Sequence, residues 1–202
     1  IHPIYLWTLP MFHCNGWCFP WTIAAKVGTN VCIRKVTSKS IYDALSDQGV
    51  THLCGAPIVL GMMVNAPKSE KKEFKQKCRV MTAAAPPPAK VLQSMQEAGF
   101  DVTHVYGLTE VYGPCVVSNW KEDWSKLNMD KQANLKARQG NPYLVQDELR
   151  VVYIGTMNDV PKDGATIGEV ILRGNITMKG YLKNIEATNI AFSDGWFHTG
   201  DL

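Results

Sequence analysis

The chain has 202 residues, of which 46% are hydrophobic and 19% are charged, and its formal net charge is +3. This length suits one large domain or two small ones, and the composition excludes a disordered chain. The small net charge does not favour nucleic acid or an anionic membrane as a partner, and no apolar run is long enough to span a bilayer.

The first half of the chain alternates between strand and helix patterns. Short apolar runs predict strands at residues 4–9, 31–33, 50–54, 78–82 and 100–105. Helices are predicted between them at residues 18–27, from 37 onward, at 58–64 and after 88 through 96, with Gly28 closing the first and Pro57 in the first turn of the third. This alternation predicts an α/β fold with a parallel sheet and covering helices, in a subdomain of residues 1–118.

The second half has a different pattern. Strands are predicted at residues 147–154 and 166–174, a short helix at 185–192, and Asp/Gly turns at 194–201. Strands with so few helices between them predict a small β-rich subdomain, a distorted barrel. Together with a polar linker, this part covers residues 119–202.

Four loops of the predicted parallel sheet carry unusual residues. Ligands of such sheets bind at the carboxyl ends of the strands, so the loops after residues 9, 54, 82 and 105 are candidates for one shared site. The residues that stand out are His13 and Trp17, Gly55 to Pro57, Ala83 to Pro86, and Tyr106 to Glu110.

The loop after residue 105 carries the most chemistry. Tyr106 offers a flat face, and Gly107 allows a close approach to a ligand or a turn with positive φ. Thr109 offers a hydroxyl to a phosphate oxygen or a cation, and Glu110 offers a carboxylate suited to Mg²⁺. The alternative is a turn into a helix capped by Thr109, since short motifs match by accident.

Other polar and small residues have ordinary structural interpretations. The alanines before the triple proline either support a flat ring or pack a strand against a helix, and a polyproline ligand fits them less well. The charged run 68–77 is interpreted as a solvated helix face. His13 is interpreted as a hydrogen-bonded structural histidine, Asp201 as a turn residue, and His198 as packing its turn.

Six cysteines are scattered along the chain, most of them in apolar stretches. This distribution favours buried thiols in a reducing compartment over a disulfide scaffold. His13 and Cys14 lie near Cys18, but no second ligand pair has the spacing of a zinc finger, so zinc is not favoured.

Four stretches together resemble the acyl-adenylate-forming superfamily of acyl-CoA ligases, firefly luciferase and peptide-synthetase adenylation domains. Their order and spacing match that family across nearly the whole chain. Segments 10–21 and 120–124 are most similar to a fatty-acyl-CoA ligase branch with plant acyl-activating enzymes and bacterial methylmercaptopropionate-CoA ligases. The four stretches are residues 10–13, 106–110, 168–181 and 196–201.

The resemblance implies nucleotide contacts at the matching positions. Thr109 would contact the α-phosphate, and Glu110 would hold Mg²⁺. Asp201 would accept hydrogen bonds from the ribose hydroxyls. Gly107 would lie beside the nucleotide, and the adenine would be enclosed by Tyr106 and the backbone of Ala83, Ala84 and Ala85.

The resemblance also implies a pocket for the acyl group. His13 and Gly107 would border it, with Trp17, Gly55 and Ala56 as further candidates. The adenine-side segment is often glycine-rich in the family, whereas this chain has three alanines there.

The implied activity is that of an AMP-forming acid–thiol ligase. The full-length parent would activate a short- or medium-chain carboxylic acid through an acyl-AMP intermediate and transfer the acyl group to CoA, with ATP and Mg²⁺ required. The alternatives are a nucleotide-binding module without turnover and a luciferase-like or carrier-loading adenylating enzyme. CoA-dependent release of AMP would separate the ligase from the luciferase-like or carrier-loading enzyme. A lysine-bearing C-terminal domain in the parent would favour turnover over nucleotide binding alone.

We expect the chain to be an internal fragment, because it begins without Met and ends within the last motif. The family's upstream phosphate loop and its lysine-bearing C-terminal domain are absent from the sequence, so we expect these residues alone not to form acyl-CoA. A cytoplasmic location is expected, with the peroxisome or another organelle as the alternative because a targeting signal can lie outside the fragment. Homo-oligomer formation is compatible with the sequence.

Overall fold

The computed structural model describes residues 2–85 and 87–202, apart from the side chain of Asn15. The strands are β1 Ile4–Trp7, β2 Thr29–Cys32, β3 His52–Cys54, β4 Cys78–Thr82, β5 Phe100–Leu108, β6 Gly113–Val117, β7 Asn141–Pro142, β8 Glu148–Val152, β9 Glu169–Arg173 and β10 Phe197–His198. The α-helices are α1 Cys14–Trp17, α2 Phe19–Ala25, α3 Ser38–Asp47, α4 Pro57–Val64, α5 Ala89–Glu97, α6 Met129–Lys136 and α7 Ile185–Ala191. Short 3₁₀ turns lie at Thr109–Val111, Glu122–Lys126 and Ser193–Gly195.

The strands form two sheets. One has seven strands in the order β2-β1-β3-β4-β5-β6-β7, and the other has three in the order β10-β9-β8. The first five strands pair in parallel, whereas β6 and β7 run antiparallel to their neighbours, as do all pairs of the small sheet. The α/β prediction, with a mostly parallel sheet followed by a small β-rich part, is confirmed. The division at residue 118 stays a prediction, and β7 returns the chain to the large sheet after that point.

Helices cover both faces of the large sheet. On one face, α3, α4 and α5 bury Leu45, Leu60 and Leu92 against strand residues such as Leu6 and Leu53. Each such leucine contributes about 1.5–3 kcal/mol through the apolar area it removes from water. The loops at the carboxyl ends of the strands therefore rest on a rigid support.

Local chemistry explains where α3 begins. The Thr37 hydroxyl accepts a hydrogen bond from the Ser40 backbone N–H, and the Ser40 hydroxyl accepts one from the Thr37 backbone N–H. This capping box satisfies two N–H groups that the first turn leaves free. Ile41 and Leu45 then fall on the buried face at a spacing of one helical turn, as the sequence pattern predicted.

Strand β5 continues to Leu108, so the prediction that Tyr106 and Gly107 end this strand is wrong. Gly107 does not take a positive φ either. It lies at a shift in the pairing of β5 with β6, where an added Cβ would meet the carbonyl oxygen of Gly113 at 1.8 Å. Glycine is required at this position because the backbone of the neighbouring strand β6 comes close to it.

The charged run 68–77 forms a turn followed by irregular chain, so the predicted helix face is wrong. Its side chains bind α3 instead. The Lys72 ammonium lies 2.7 Å from the Asp43 carboxylate, and the Gln76 amide donates to the carbonyls of Leu45 and Val50. Contacts of this kind hold the segment against α3.

Helix α2 ends at Ala25, and the residue with positive φ behind it is Val27 rather than the predicted Gly28. Gly28 is needed for space, because an added Cβ would lie 2.8 Å from Pro3.

Pro86, part of the predicted triple-proline loop, lies outside the described residues. No helix in the described part of the chain is both long and apolar enough to cross a membrane.

Candidate nucleotide site

A cavity of about 480 Å³ lies between the carboxyl end of β5 and the small sheet. Five of the predicted site residues line it, and the small sheet contributes apolar side chains from β8 and β9. The predicted residues are Ala84, Ala85, Tyr106, Gly107 and Asp201, and the apolar ones are Leu149, Val151 and Val170. A mostly apolar cavity with a few polar groups at one edge of an α/β sheet is typical of a small-molecule site.

Asp201 is fixed at the wall of this cavity. The Tyr106 hydroxyl donates to Asp201 Oδ2 at 2.7 Å, across 95 residues of sequence. The Asp201 carbonyl accepts from the Val170 N–H, and its own N–H donates to the Thr199 hydroxyl. Burial, followed by the Asp201 carboxylate, raises the pKa of Tyr106, so its hydroxyl stays a donor at neutral pH.

The turn before Asp201 is braced by Glu169. Glu169 Oε2 lies 2.9 Å from His198 Nδ1, and Oε1 accepts from the Gly200 N–H at 3.1 Å. The Thr199 hydroxyl adds a bond to the Val170 carbonyl. These contacts fit the interpretation that His198 packs its turn, and they give Asp201 a defined direction.

Thr109 and Glu110 lie beyond the cavity, in the 3₁₀ turn that follows β5. Thr109 does not cap a helix, since Leu108 holds the N-cap position without a side-chain bond. The Thr109 hydroxyl is exposed and lies 3.5 Å from the Cys14 thiol. Glu110 Oε1 accepts from the Tyr181 hydroxyl at 3.1 Å, and the Glu110 carbonyl accepts from the Met178 N–H at 2.7 Å.

The donor set at this turn suits Mg²⁺. Mg²⁺ prefers hard oxygen ligands and usually takes one or two carboxylates together with substrate phosphates and waters. Glu110 supplies a partly exposed carboxylate, and the neighbouring residue Thr109 is exposed, with the Cys14 thiol as its hydroxyl's partner. Within the described residues, no group of three or more His, Cys, Asp or Glu side chains forms a closed metal cage.

The residues predicted for the acyl pocket do not all meet at one place. His13 is exposed, and Trp17 is buried in an apolar cluster with Tyr5 and Val105. The Gly55 N–H donates to the Met81 carbonyl in the sheet. Ala56 is the N-cap of α4, and none of these four residues lines the cavity. Gly107, the fifth residue predicted for the acyl pocket, does line it, whereas Ala83, predicted beside the adenine, is buried and does not.

Sequence reasoning missed His104, which is 2% exposed and lines the cavity. Its Nδ1 lies 3.1 Å from the Ala137 carbonyl and 3.0 Å from the Arg138 carbonyl. Because carbonyls only accept, Nδ1 carries the proton, and Nε2 is left as an acceptor. Burial lowers the pKa of His104, so the ring is neutral near pH 7. The alternation of β5 gave a usable signal, since His104 and Tyr106 share one face.

The family model for AMP-binding enzymes matches residues 2–182 of the chain. An acetate–CoA ligase of Humulus lupulus is 54% identical over 200 residues, covering 98% of this chain and 35% of that protein. A peroxisomal acetate/butyrate–CoA ligase of Arabidopsis thaliana is 52% identical with the same coverage. A peroxisomal trans-cinnamate:CoA ligase of Petunia hybrida is 46% identical, covering 99% and 35%. The chain thus spans about a third of the length of these relatives.

Solved structures with the same fold are more distant in sequence. The o-succinylbenzoate CoA synthetase of Bacillus subtilis, in complex with its acyl-adenylate intermediate, matches with a TM-score of 0.77 at 21% identity, covering 98% of this chain and 47% of that one. The N-terminal domain of FACL13 from Mycobacterium tuberculosis matches with a TM-score of 0.74 at 22% identity, with coverage of 98% and 47%. At this identity the match supports the fold alone.

Proposed function

The chain belongs to the AMP-binding enzyme family, and we propose that the full-length protein is an ATP-dependent acyl-CoA ligase. A short- or medium-chain carboxylic acid attacks the α-phosphate of ATP, which gives acyl-AMP and releases pyrophosphate. The CoA thiol then takes the acyl group, and AMP leaves. The observation that carries this proposal is the cavity at the end of β5, with Asp201 fixed at its wall and Glu110 just beyond its end.

The nucleotide is proposed to lie in the 480 Å³ cavity. The adenine would pack between Tyr106 and the backbone of Ala84 and Ala85, where His104 Nε2 offers an acceptor to an amino group. Asp201 Oδ1 would accept from the ribose hydroxyls, because Oδ2 is already bound to Tyr106. Carboxylates are natural partners for such paired hydroxyls.

The phosphates would then extend from the cavity toward Thr109 and Glu110. Attack of a carboxylate on the α-phosphate places charge on phosphate oxygens, so positioning and charge stabilisation matter more than a protein nucleophile. The Thr109 hydroxyl would donate to the α-phosphate, and the Glu110 carboxylate would hold Mg²⁺. When bound, Mg²⁺ would neutralise part of the phosphate charge.

The acyl group is proposed to enter beside the loop that carries His13. The Cys14 thiol contacts Thr109, so this loop borders the turn where the α-phosphate would lie. The relatives are named for acetate, butyrate and cinnamate, which differ widely in size. A short- or medium-chain acid is our proposal for this protein, and one methylene changes such a preference by only about 1–3 kcal/mol.

The test is ATP–pyrophosphate exchange by the full-length protein with acetate, butyrate, 2-methylpropanoate and trans-cinnamate. Glu110→Gln is expected to lower the exchange rate about 100-fold or more, and Asp201→Asn to raise the KM for ATP. Glu97→Gln is the matched control, because Glu97 is exposed at the end of α5, at the opposite edge of the sheet. A folded Glu110→Gln protein with wild-type exchange would refute the assignment.

A second measurement separates the ligase from the alternatives. Release of AMP that depends on CoA supports acyl transfer to CoA. Exchange without CoA-dependent release would identify a luciferase-like or carrier-loading enzyme, and nucleotide binding without exchange would identify a binding module.

For the location of the protein, we propose the peroxisome as the alternative to the cytoplasm, since several relatives are named as peroxisomal. Imaging of the full-length protein with a fluorescent tag at either terminus decides between them.

A further inference from the structure

We propose that Tyr181 is a positioning residue for the cation site, because its hydroxyl orients the carboxylate of Glu110. This inference rests on the proposed function, in which Glu110 holds Mg²⁺. Tyr181 comes from the loop between β9 and α7, 71 residues away from Glu110 in sequence.

One loop fixes both the backbone and the side chain of Glu110. The Met178 N–H donates to the Glu110 carbonyl at 2.7 Å, and the Tyr181 hydroxyl donates to Glu110 Oε1 at 3.1 Å. The first bond sets the position of the Glu110 backbone, and the second limits the rotation of its carboxylate. A carboxylate held at both points loses less conformational freedom when it binds a cation.

The chemistry of the donor matters as much as its position. A tyrosine hydroxyl is neutral, so it occupies one oxygen without cancelling the negative charge. Within residues 2–85 and 87–202, no lysine or arginine forms an ion pair with Glu110. Oε1 is thus held by Tyr181, while Oε2 makes no hydrogen bond or ion pair within the described residues.

The loop that presents Tyr181 is itself constrained. The Tyr181 N–H donates to the Thr188 hydroxyl at 3.0 Å, and that hydroxyl donates to the Asn184 carbonyl. Gly180 has φ 150°, and an added Cβ would lie 2.6 Å from the Thr188 side chain. The ring of Tyr181 thus projects from a defined backbone anchored on the first turn of α7.

Removing a group that hydrogen-bonds to a metal-binding side chain commonly lowers metal affinity by about 10–100-fold. We therefore expect Tyr181→Phe, in the full-length protein, to raise the half-saturating Mg²⁺ concentration of pyrophosphate exchange by about 10-fold. Mn²⁺ binding in the presence of a non-hydrolysable ATP analogue, followed by electron paramagnetic resonance, should weaken by a similar factor. Binding of AMP without metal should stay unchanged, which reports that the variant is folded.

Tyr153→Phe is the matched control. Tyr153 is 44% exposed beyond β8, and its hydroxyl makes no hydrogen bond within the part of the chain that the structure describes. An unchanged Mg²⁺ requirement and unchanged Mn²⁺ binding in Tyr181→Phe would overturn the proposal. If Glu110→Gln binds Mn²⁺ like the wild type, the proposed cation site itself is wrong, whereas a loss in Glu110→Gln without any loss in Tyr181→Phe refutes only the role of Tyr181.

Discussion

Replacing Gly107 by alanine is expected to force β5 and β6 apart. The new Cβ would lie 1.8 Å from the Gly113 carbonyl oxygen, 2.5 Å from its carbon and 2.8 Å from the Pro114 Cα. All three are backbone atoms, so no side chain can turn away to relieve the contact. Reaching even 3.0 Å requires the first contact to lengthen by about 1.2 Å. Overpacking of this kind costs about 1–3 kcal/mol, and a purely backbone clash belongs at the upper end.

The matched control is Gly61→Ala, the same chemical change inside α4. An added Cβ there meets no heavy atom within 4 Å. Alanine favours a helix over glycine by about 1 kcal/mol, so this variant should be more stable than the wild type. Urea unfolding followed by tryptophan fluorescence measures both variants, with an unchanged m value as the check on two-state behaviour. A Gly107→Ala protein as stable as the wild type would refute the spacing of the two strands.

Three further predictions follow from buried groups. Trp17→Ala should lower the free energy of unfolding by about 3–5 kcal/mol, because the indole lies in an apolar cluster. A changed acid preference without any loss of stability would instead show that Trp17 belongs to the acyl pocket. His104 binds a proton less readily in the folded state than in the unfolded chain, because burial lowers its pKa. Its contribution to stability should therefore be complete above about pH 6.5 and should decline as the pH falls through the lowered pKa. His104→Gln should flatten that decline, measured as urea midpoints from about pH 7.5 to about pH 5. Tyr5→Phe should leave stability within about 1 kcal/mol of the wild type, because the buried Tyr5 hydroxyl faces the Cys54 thiol, which is a weak hydrogen-bond partner. A calorimetric loss above about 2 kcal/mol would contradict this.

Elements with local signals could be predicted from the sequence. Helix α3 has a capping box and a periodic apolar face, and α4 has Pro57 in its first turn, so each carries its own start signal. The end of β5 could not be predicted in this way. Gly107 lies inside the strand because β6 pairs with it across a bulge, and that pairing depends on residues beyond the motif.

The candidate site also has parts that local sequence signals predict and parts that depend on distant packing. The four loops at the carboxyl ends of the parallel strands could be predicted from the α/β alternation, and the Tyr106 and Asp201 side chains do meet at one cavity. The opposite wall, with Leu149 and Val170, has no signal of its own, because its position depends on how the small sheet packs. The sequence predicts Trp17 as a pocket residue, whereas the structure buries its side chain in the apolar cluster with Tyr5 and Val105.

Two tyrosines connect the sheets in opposite directions. Tyr106 of β5 donates to Asp201 beside the small sheet, while Tyr181 from the loop after β9 donates to Glu110 beside the large one. Each carboxylate is thus held by a neutral hydroxyl from the other side and keeps its negative charge for a ligand. A displacement of one sheet relative to the other would disturb both bonds, because each joins a residue beside one sheet to a residue beside the other. The proposed ribose contact and the proposed cation contact therefore both depend on how the two sheets pack. A substitution that shifts this packing should weaken both contacts, whereas loss of the Tyr181 hydroxyl alone removes only the bond to Glu110.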